Sequence, residues 1–374
     1  MEKHLHIIAI TVPHPPNFGG VIDLYWKLEA LQKQGVHIHL HCFLYDRQPA
    51  KELEQFCAEV KYYKRNLNLS QLSSKLPFIV QSRKNETLFT TLLKDDYPIL
   101  VEGIHCSYLL TDNRFNNRKI LLRSHNVEFE YYQHLADSTT NFAKKIYSKR
   151  ESKKLYNYEK FVAQKNINIL TVTARDADVY TNELNAPKAK YLPLFLPTNW
   201  QITAQKGMGN YCLYHGDLSI SSNQKAVKWL LNNVFSLAQI PLVIAGKNPP
   251  KSIVKLAHKF PHTCIVTNPG EREMEDLITK AQLHILPSYN SAGIKLKLLN
   301  ALYNGRFCLA NDYTLNGSSV EDLCIKFNSA TDCIKQVEKY FYIPFESEEL
   351  EKRKALLHQL FNNESNAQKI VELL

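Results

Sequence analysis

Two stretches of this 374-residue chain combine residue types that could do chemistry. The first holds Gly293, Ile294, Lys295, Leu296 and Lys297, at the start of an apolar-periodic segment that predicts a helix over about 294–304. Lys295 and Lys297 fall in its first turn, where the helix dipole is positive and cations are disfavoured. Two ammonium groups beside free N–H groups suit an anion, most simply a diphosphate. Two solvated lysines on an exposed face would leave the same sequence pattern. The second stretch is Ser124, His125, Asn126, Val127 and Glu128, directly after the apolar run 119–123. Open α/β sheets place their ligands at such strand ends.

These residues need elements to position them. Residues 283–287 read as a short buried strand, 288–292 as a small polar turn, and 307–310 as the next strand. Ile294, Leu298, Ala301 and Leu302 share one helical face, and Gly305 sits where a left-handed cap belongs. The unit is strand, loop, helix, strand, as in a parallel sheet. The chain opens in the same way. A strand over 4–12 leads through a loop containing Gly19 and Gly20 to a helix over 21–34. Gly35 stops that helix before a strand over 36–44. The paired glycines let backbone approach a ligand at a helix N-terminus, or make a tight turn only. Further strands are expected at 59–64, 97–102, 119–123, 167–173, 211–215, 242–245 and 263–266. The stretch 191–198, with two prolines, reads as a linker.

The composition excludes several classes. Hydrophobic residues make up 44% and charged residues 22%, ordinary for a globular chain long enough for two cores. No apolar run approaches the roughly 20 residues of a membrane span. The N-terminus reads as a first strand and not a signal peptide. The 8 cysteines are scattered without a CxxC pair, and Cys42, Cys264 and Cys308, inside apolar strand-like runs, look like small core residues in a reducing compartment. His37, His39 and His41 alternate along one strand, but with no fourth ligand nearby they read as structural, and no metal is expected. The formal charge of +10 fits anionic partners. No motif that reads nucleic acid is visible. The basic segment 141–165 predicts a long helix with Phe142, Ile146, Leu155, Tyr158 and Val162 near one face. It either packs on the sheet with a solvated lysine face or rests on an anionic membrane.

Three segments resemble the GT-B glycosyltransferases of the large retaining "group 1" class. Gly293, Lys295, Lys297, Ala301 and Gly305 match the family's donor signature, whose basic residues contact the donor diphosphate. Asn300 stands where the family has the Glu that holds the ribose, and Ala292 where it has another acidic residue. Arg123, His125, Asn126 and Glu128 match an R-x-H-N-x-E run whose His points toward the transferred sugar. Gly216, Asn223, Ala226, Trp229 and Leu230 match the strand, glycine loop and helix that open the donor domain.

The resemblance implies an α/β chain with two Rossmann-like domains, their parallel sheets facing a central cleft. The expected boundaries are an acceptor domain at 1–192, a linker at 193–205, a donor domain at 206–350 and a returning C-terminal helix at 351–374. It implies transfer of a hexose-type sugar from a nucleotide-sugar to a hydroxyl of a saccharide or lipid-linked saccharide, with retention. Alternatives are a degenerate binding protein and a nucleotide-sugar epimerase. His125 and Lys297 are the expected catalytic pair. Donor contacts are expected from Gly216, Asp217, Lys247, Gly293, Ile294, Lys295, Lys297 and Asn300. Acceptor contacts are expected from Gly19, Gly20, Arg123, Asn126 and Glu128. The nucleotide-sugar is a co-substrate, and no metal or other cofactor is implied. A cytoplasmic place, with peripheral contact to the inner membrane face, completes the expectation.

Overall fold

The computed structural model describes residues 2–17, 19–45, 47–139, 141–289 and 293–374. Ala292 and most of the expected turn at 288–292 lie outside the described residues. The chain forms two compact units, 1–198 with 361–374, and 199–360.

Unit 1 is built on a seven-stranded parallel sheet. Its strands are β1 (Lys3–Ala9), β2 (Val36–Leu44), β3 (Glu59–Lys64), β4 (Ile99–Glu102), β5 (Ile120–Ser124), β6 (Asn168–Thr171) and β7 (Ala189–Tyr191). The order β3-β2-β1-β4-β5-β6-β7 reverses direction of growth between β1 and β4. Strands buried on both faces need continuous apolar runs, and β4 and β5 are fully buried along their length. Helices cover both faces. Gly19–Lys33 packs with Asn363–Val371 on one side, where Leu28, Leu31, Phe195 and Ile370 share a core with β1 and β2. Phe142–Ala163 covers the other through Leu155, Tyr158 and Val162.

Unit 2 repeats the scheme with six parallel strands. They are β8 (Cys212–His215), β9 (Leu242–Gly246), β10 (Thr263–Thr267), β11 (Leu283–Leu286), β12 (Phe307–Ala310) and β13 (Ile325–Lys326). The order is β10-β9-β8-β11-β12-β13, so the reversal falls between β8 and β11. In open sheets of this kind, the ligand crevice lies outside the carboxyl ends of the strands at that reversal.

Several expectations need correction. The unit boundary falls at 198/199 and not 192/193, because Leu194, Phe195 and Leu196 are buried in unit 1. Only 361–374 returns to unit 1. The helix Ser347–Leu360 stays with unit 2, anchored by the buried Arg353. The Arg353 guanidinium donates to the carbonyls of Leu302, Gly305 and Arg306 and lies over the Phe345 ring. Phe142 and Ile146 do not join the buried face; Phe142 is 76% exposed. Gly305 has φ −101° and not a left-handed value. Its glycine is required by close approach, since a Cβ would stand 2.0 Å from His284 Nε2.

Candidate functional site

In unit 1 the carboxyl ends of β1, β4 and β5 line a cavity of about 700 Å³. Ile10 and Thr11 follow β1, Glu102 ends β4, His125 follows β5, and Gly20 lies in the first turn of the helix Gly19–Lys33. A Cβ on Gly20 would lie 3.9 Å from the His125 ring, an ordinary contact, so the helix start lies beside the imidazole without requiring a glycine there.

His125 is held from beneath by a buried ion network. Its Nε2 lies 3.1 Å from Asp23 Oδ2 and 3.5 Å from Glu102 Oε2. Lys27 Nζ sits 2.9 Å from Asp23 Oδ2 and 2.7 Å from Glu102 Oε1. Arg123 donates to both Asp23 oxygens at 3.0 and 2.9 Å. Burial alone would raise the Asp23 pKa, but Arg123 and Lys27 beside it hold it well below the usual range. An ionised Asp23 takes the Nε2–H of His125. That fixes the ring and leaves Nδ1, a buried atom without a hydrogen-bond partner among the described residues, as its acceptor.

The rest of the R-x-H-N-x-E run points elsewhere. Arg123 is fully buried, and its other donors go to the carbonyls of Leu192 and Pro193, at 2.6 and 3.1 Å. It ties the sheet to the chain's exit from unit 1 and has nothing left for an acceptor. Asn126 donates to Glu128 at 3.2 Å. Glu128 starts the helix Glu128–Ser138, buried, and its backbone N–H donates to Glu159. Burial raises the Glu128 pKa to about 7, and that of Glu159 to about 8 with the charge of Glu128 adding to the rise. Gly19 begins its helix.

Sequence reasoning missed Asp23, Lys27 and Glu102. The signal was present: Asp23 and Lys27, four apart, interrupt the apolar face of an otherwise amphipathic helix, and Glu102 closes an apolar strand. Among the described residues, Asp23, Glu102 and His125 also offer three donor atoms within 4.8 Å of one another, as a metal would need. The Lys27 ammonium and Arg123 guanidinium already lie against those carboxylates and would repel a second cation.

In unit 2 the helix begins at Leu296, two residues later than expected, so Lys295 is its N-cap residue and Ile294 precedes it. Gly293, at φ +60°, makes the left-handed turn that leads in. Lys295 Nζ donates to the Gly293 carbonyl at 3.3 Å. Lys297 Nζ turns back over the end of β8. It lies 3.3 Å from Tyr214 Oη, 3.2 Å from Asn223 Oδ1 and 4.8 Å from the Tyr214 ring centre. Burial lowers its pKa to about 8. Gly216 has φ +157°, and a Cβ there would press on Asn223 at 3.3 Å. Gly246 allows β9 to meet that loop, since its Cβ would lie 1.9 Å from the Gly216 carbonyl oxygen. Asp217 Oδ1 accepts from the N–H and hydroxyl of Ser219, shaping the turn. Lys247 is exposed. The Asn300 amide oxygen is taken by Asn304 Nδ2 at 2.9 Å.

Residues 209–340, all in unit 2, match the family model described as "Glycosyl transferases group 1". The chain is 26% identical over 332 residues to an uncharacterized 44.6 kDa protein in the cps region of Klebsiella pneumoniae, covering 83% of this chain and 84% of that one. The sucrose-phosphate synthase of Thermosynechococcus elongatus superposes with a TM-score of 0.69 at 14% identity, over 99% of this chain and 98% of the other. HepE of Anabaena, solved with UDP and glucose, superposes at 0.62 with 11% identity over 98% of each chain. Two parallel-sheet units in this order make the chain a GT-B protein. Within that fold, residues 209–340 of its second unit resemble the group 1 glycosyltransferases.

Proposed function

We propose that the chain transfers a hexose-type sugar from a nucleoside diphosphate sugar to a saccharide hydroxyl, with retention, during surface-polysaccharide assembly. The observation that carries this is Lys297. Its ammonium is half-buried at the carboxyl end of β8, and among the described residues neutral oxygens and a ring face surround it. Such a cation is stabilised by an arriving anion, and it gains most when a diphosphate departs with full charge. Lys295 and the N–H groups at the helix start add to that charge. Gly216 and Gly246 keep backbone close by. His125 serves as the polar group at the sugar or acceptor hydroxyl, and the unit 1 cavity takes the acceptor. The cps-region setting of the Klebsiella relative and the UDP in HepE support the choice of product and donor.

One observation favours a second reading, a chain that binds nucleotide without turnover. The Asn300 oxygen is bonded to Asn304 and has no carboxylate charge to offer a ribose. Calorimetry with UDP-, GDP- and dTDP-sugars separates the readings when followed by incubation with saccharide acceptors. Tight binding by one donor plus a product with unchanged anomeric configuration is expected. Binding without turnover supports the second reading, and no binding overturns both.

Peripheral contact with the inner face of an anionic membrane is part of the proposal. No helix is long and apolar enough to cross a membrane. The helix Phe142–Ala163 nevertheless exposes Phe142 and Ile146 beside Lys144, Lys149, Arg150 and Lys153. Apolar and basic side chains together suit lipid headgroups. The chain should sediment with phosphatidylglycerol vesicles and not with phosphatidylcholine vesicles; equal recovery from both would remove this element.

A further inference from the structure

The unit 1 cavity contains two cations that the proposed reaction does not use. Arg65 and Arg83 both line it. Arg83 is only 3% exposed; one of its NH groups donates to the Ile79 carbonyl at 2.7 Å, and its Nε has no partner. Arg65 Nε donates to Ser82 Oγ at 2.8 Å. Among the described residues neither guanidinium forms an ion pair with a carboxylate. Glu102, the acidic residue of the lining, is matched to Lys27. The contrast with Arg123 is direct, since that equally buried guanidinium has Asp23 on two of its nitrogens.

A buried guanidinium without an anion costs several kcal/mol in lost hydration. Ring faces offset part of this: Phe43 lies 5.9 Å from Arg83, and Tyr45 and Phe78 lie 5.1 and 5.7 Å from Arg65. They supply a quadrupole but no countercharge. Burial moves the Arg83 pKa down to about 10, so it is still cationic at neutral pH. The planar fork of a guanidinium matches a carboxylate or phosphate with two parallel hydrogen bonds. Tyr131, Tyr132 and Tyr147 complete the wall with aromatic faces on which sugar rings can lie.

We propose that the acceptor carries an anionic oxygen group, a sugar carboxylate or a phosphate ester, which seats against Arg65 and Arg83 while its sugar rings lie on the tyrosine wall. This rests on the reading of the cavity as the acceptor side. A neutral acceptor would leave the pair without its counterion, so the same residues reject it.

The test is calorimetry on the full chain at low salt with octyl β-glucuronide, octyl phosphate and octyl β-glucoside as probes. At least one anionic probe should bind about tenfold or more tighter than the neutral glucoside, worth about 1.4 kcal/mol or more. Preference for the glucuronide identifies an acidic sugar as the source of the charge, and preference for octyl phosphate a phosphate ester. Arg65→Gln, at a half-buried position, should abolish the preference while keeping the melting temperature. Arg83→Met should abolish it as well and raise the melting temperature, because an unmatched buried charge is gone. Equal binding of all three probes, or a preference unchanged in Arg65→Gln, overturns the proposal. UDP, GDP and dTDP titrations on the same samples keep the readings apart. Retained nucleotide binding without anion preference removes this inference alone, whereas absent binding of UDP, GDP and dTDP alike counts against the glycosyltransferase reading.

Discussion

Asp23 in unit 1 and Lys297 in unit 2 both sit on helices that follow central strands, yet the surroundings of their charged groups differ in kind. Asp23 is enclosed by Arg123, Lys27 and His125, and its charge is met several times over. Lys297 meets a phenol, an amide oxygen and a ring face. The first arrangement is finished in the free protein and serves to hold His125. The second is unfinished, and its missing partner is an anion. The difference separates residues that position a site from residues that bind at it. Arg123 was expected at the acceptor and Lys297 at the donor, and only their neighbours show which of them is left to bind.

Three experiments break or sharpen this contrast. The largest effect is expected from Arg123→Met. It leaves Asp23 buried with one guanidinium fewer, which should lower stability by about 3–5 kcal/mol in urea unfolding. A change below about 1 kcal/mol would mean the network is not what holds unit 1 together. Lys297→Met should do the reverse. UDP affinity should fall about 100-fold, the loss of roughly 3 kcal/mol of charge-assisted contact. Unfolding free energy at neutral pH should hold or rise, because an ammonium without a countercharge is removed and no carboxylate is orphaned. Stability lost with affinity intact would assign Lys297 to the fold.

The smallest effect is a pH dependence. The Lys297 pKa is lowered to about 8 from an ordinary 10.5. The unfolded chain therefore binds more protons between these values, and wild type should gain stability relative to Lys297→Met as pH rises from about 8 toward 10.5. Diphosphate binding needs the charged form, so UDP affinity should fall over the same interval, by at most about tenfold per pH unit. Opposite trends in the two titrations would tie both to one ammonium group; parallel trends would place the titration elsewhere.

Much of the scaffold was legible in the sequence. The run 36–44 forms a strand with the expected ends, as does 59–64, because alternating or continuous apolar runs between turn residues leave little choice. Gly35 ends its helix with φ +76°, as a stop signal should. Gly305 looked the same in sequence and is extended, since what demanded glycine there was His284, 21 positions earlier in the chain. Phe142 and Ile146 fit an apolar stripe by spacing, but among the described residues no core covers them and they face solvent.

The sequence by itself determined the strands, the glycine turns and two short motifs, since these depend on residues a few positions apart. It could not say which members of a motif face a ligand. Arg123 and His125 are two positions apart and both reach Asp23, but Arg123 lies within β5 and is sealed by packing, whereas His125 lies just past the strand end and lines the cavity. Nor could it show that Asp23 would meet Arg123 across 100 positions, or that Arg65 and Arg83 would form no ion pair with a carboxylate among the described residues. Charge compensation depends on distance in space, and tertiary packing alone sets that distance.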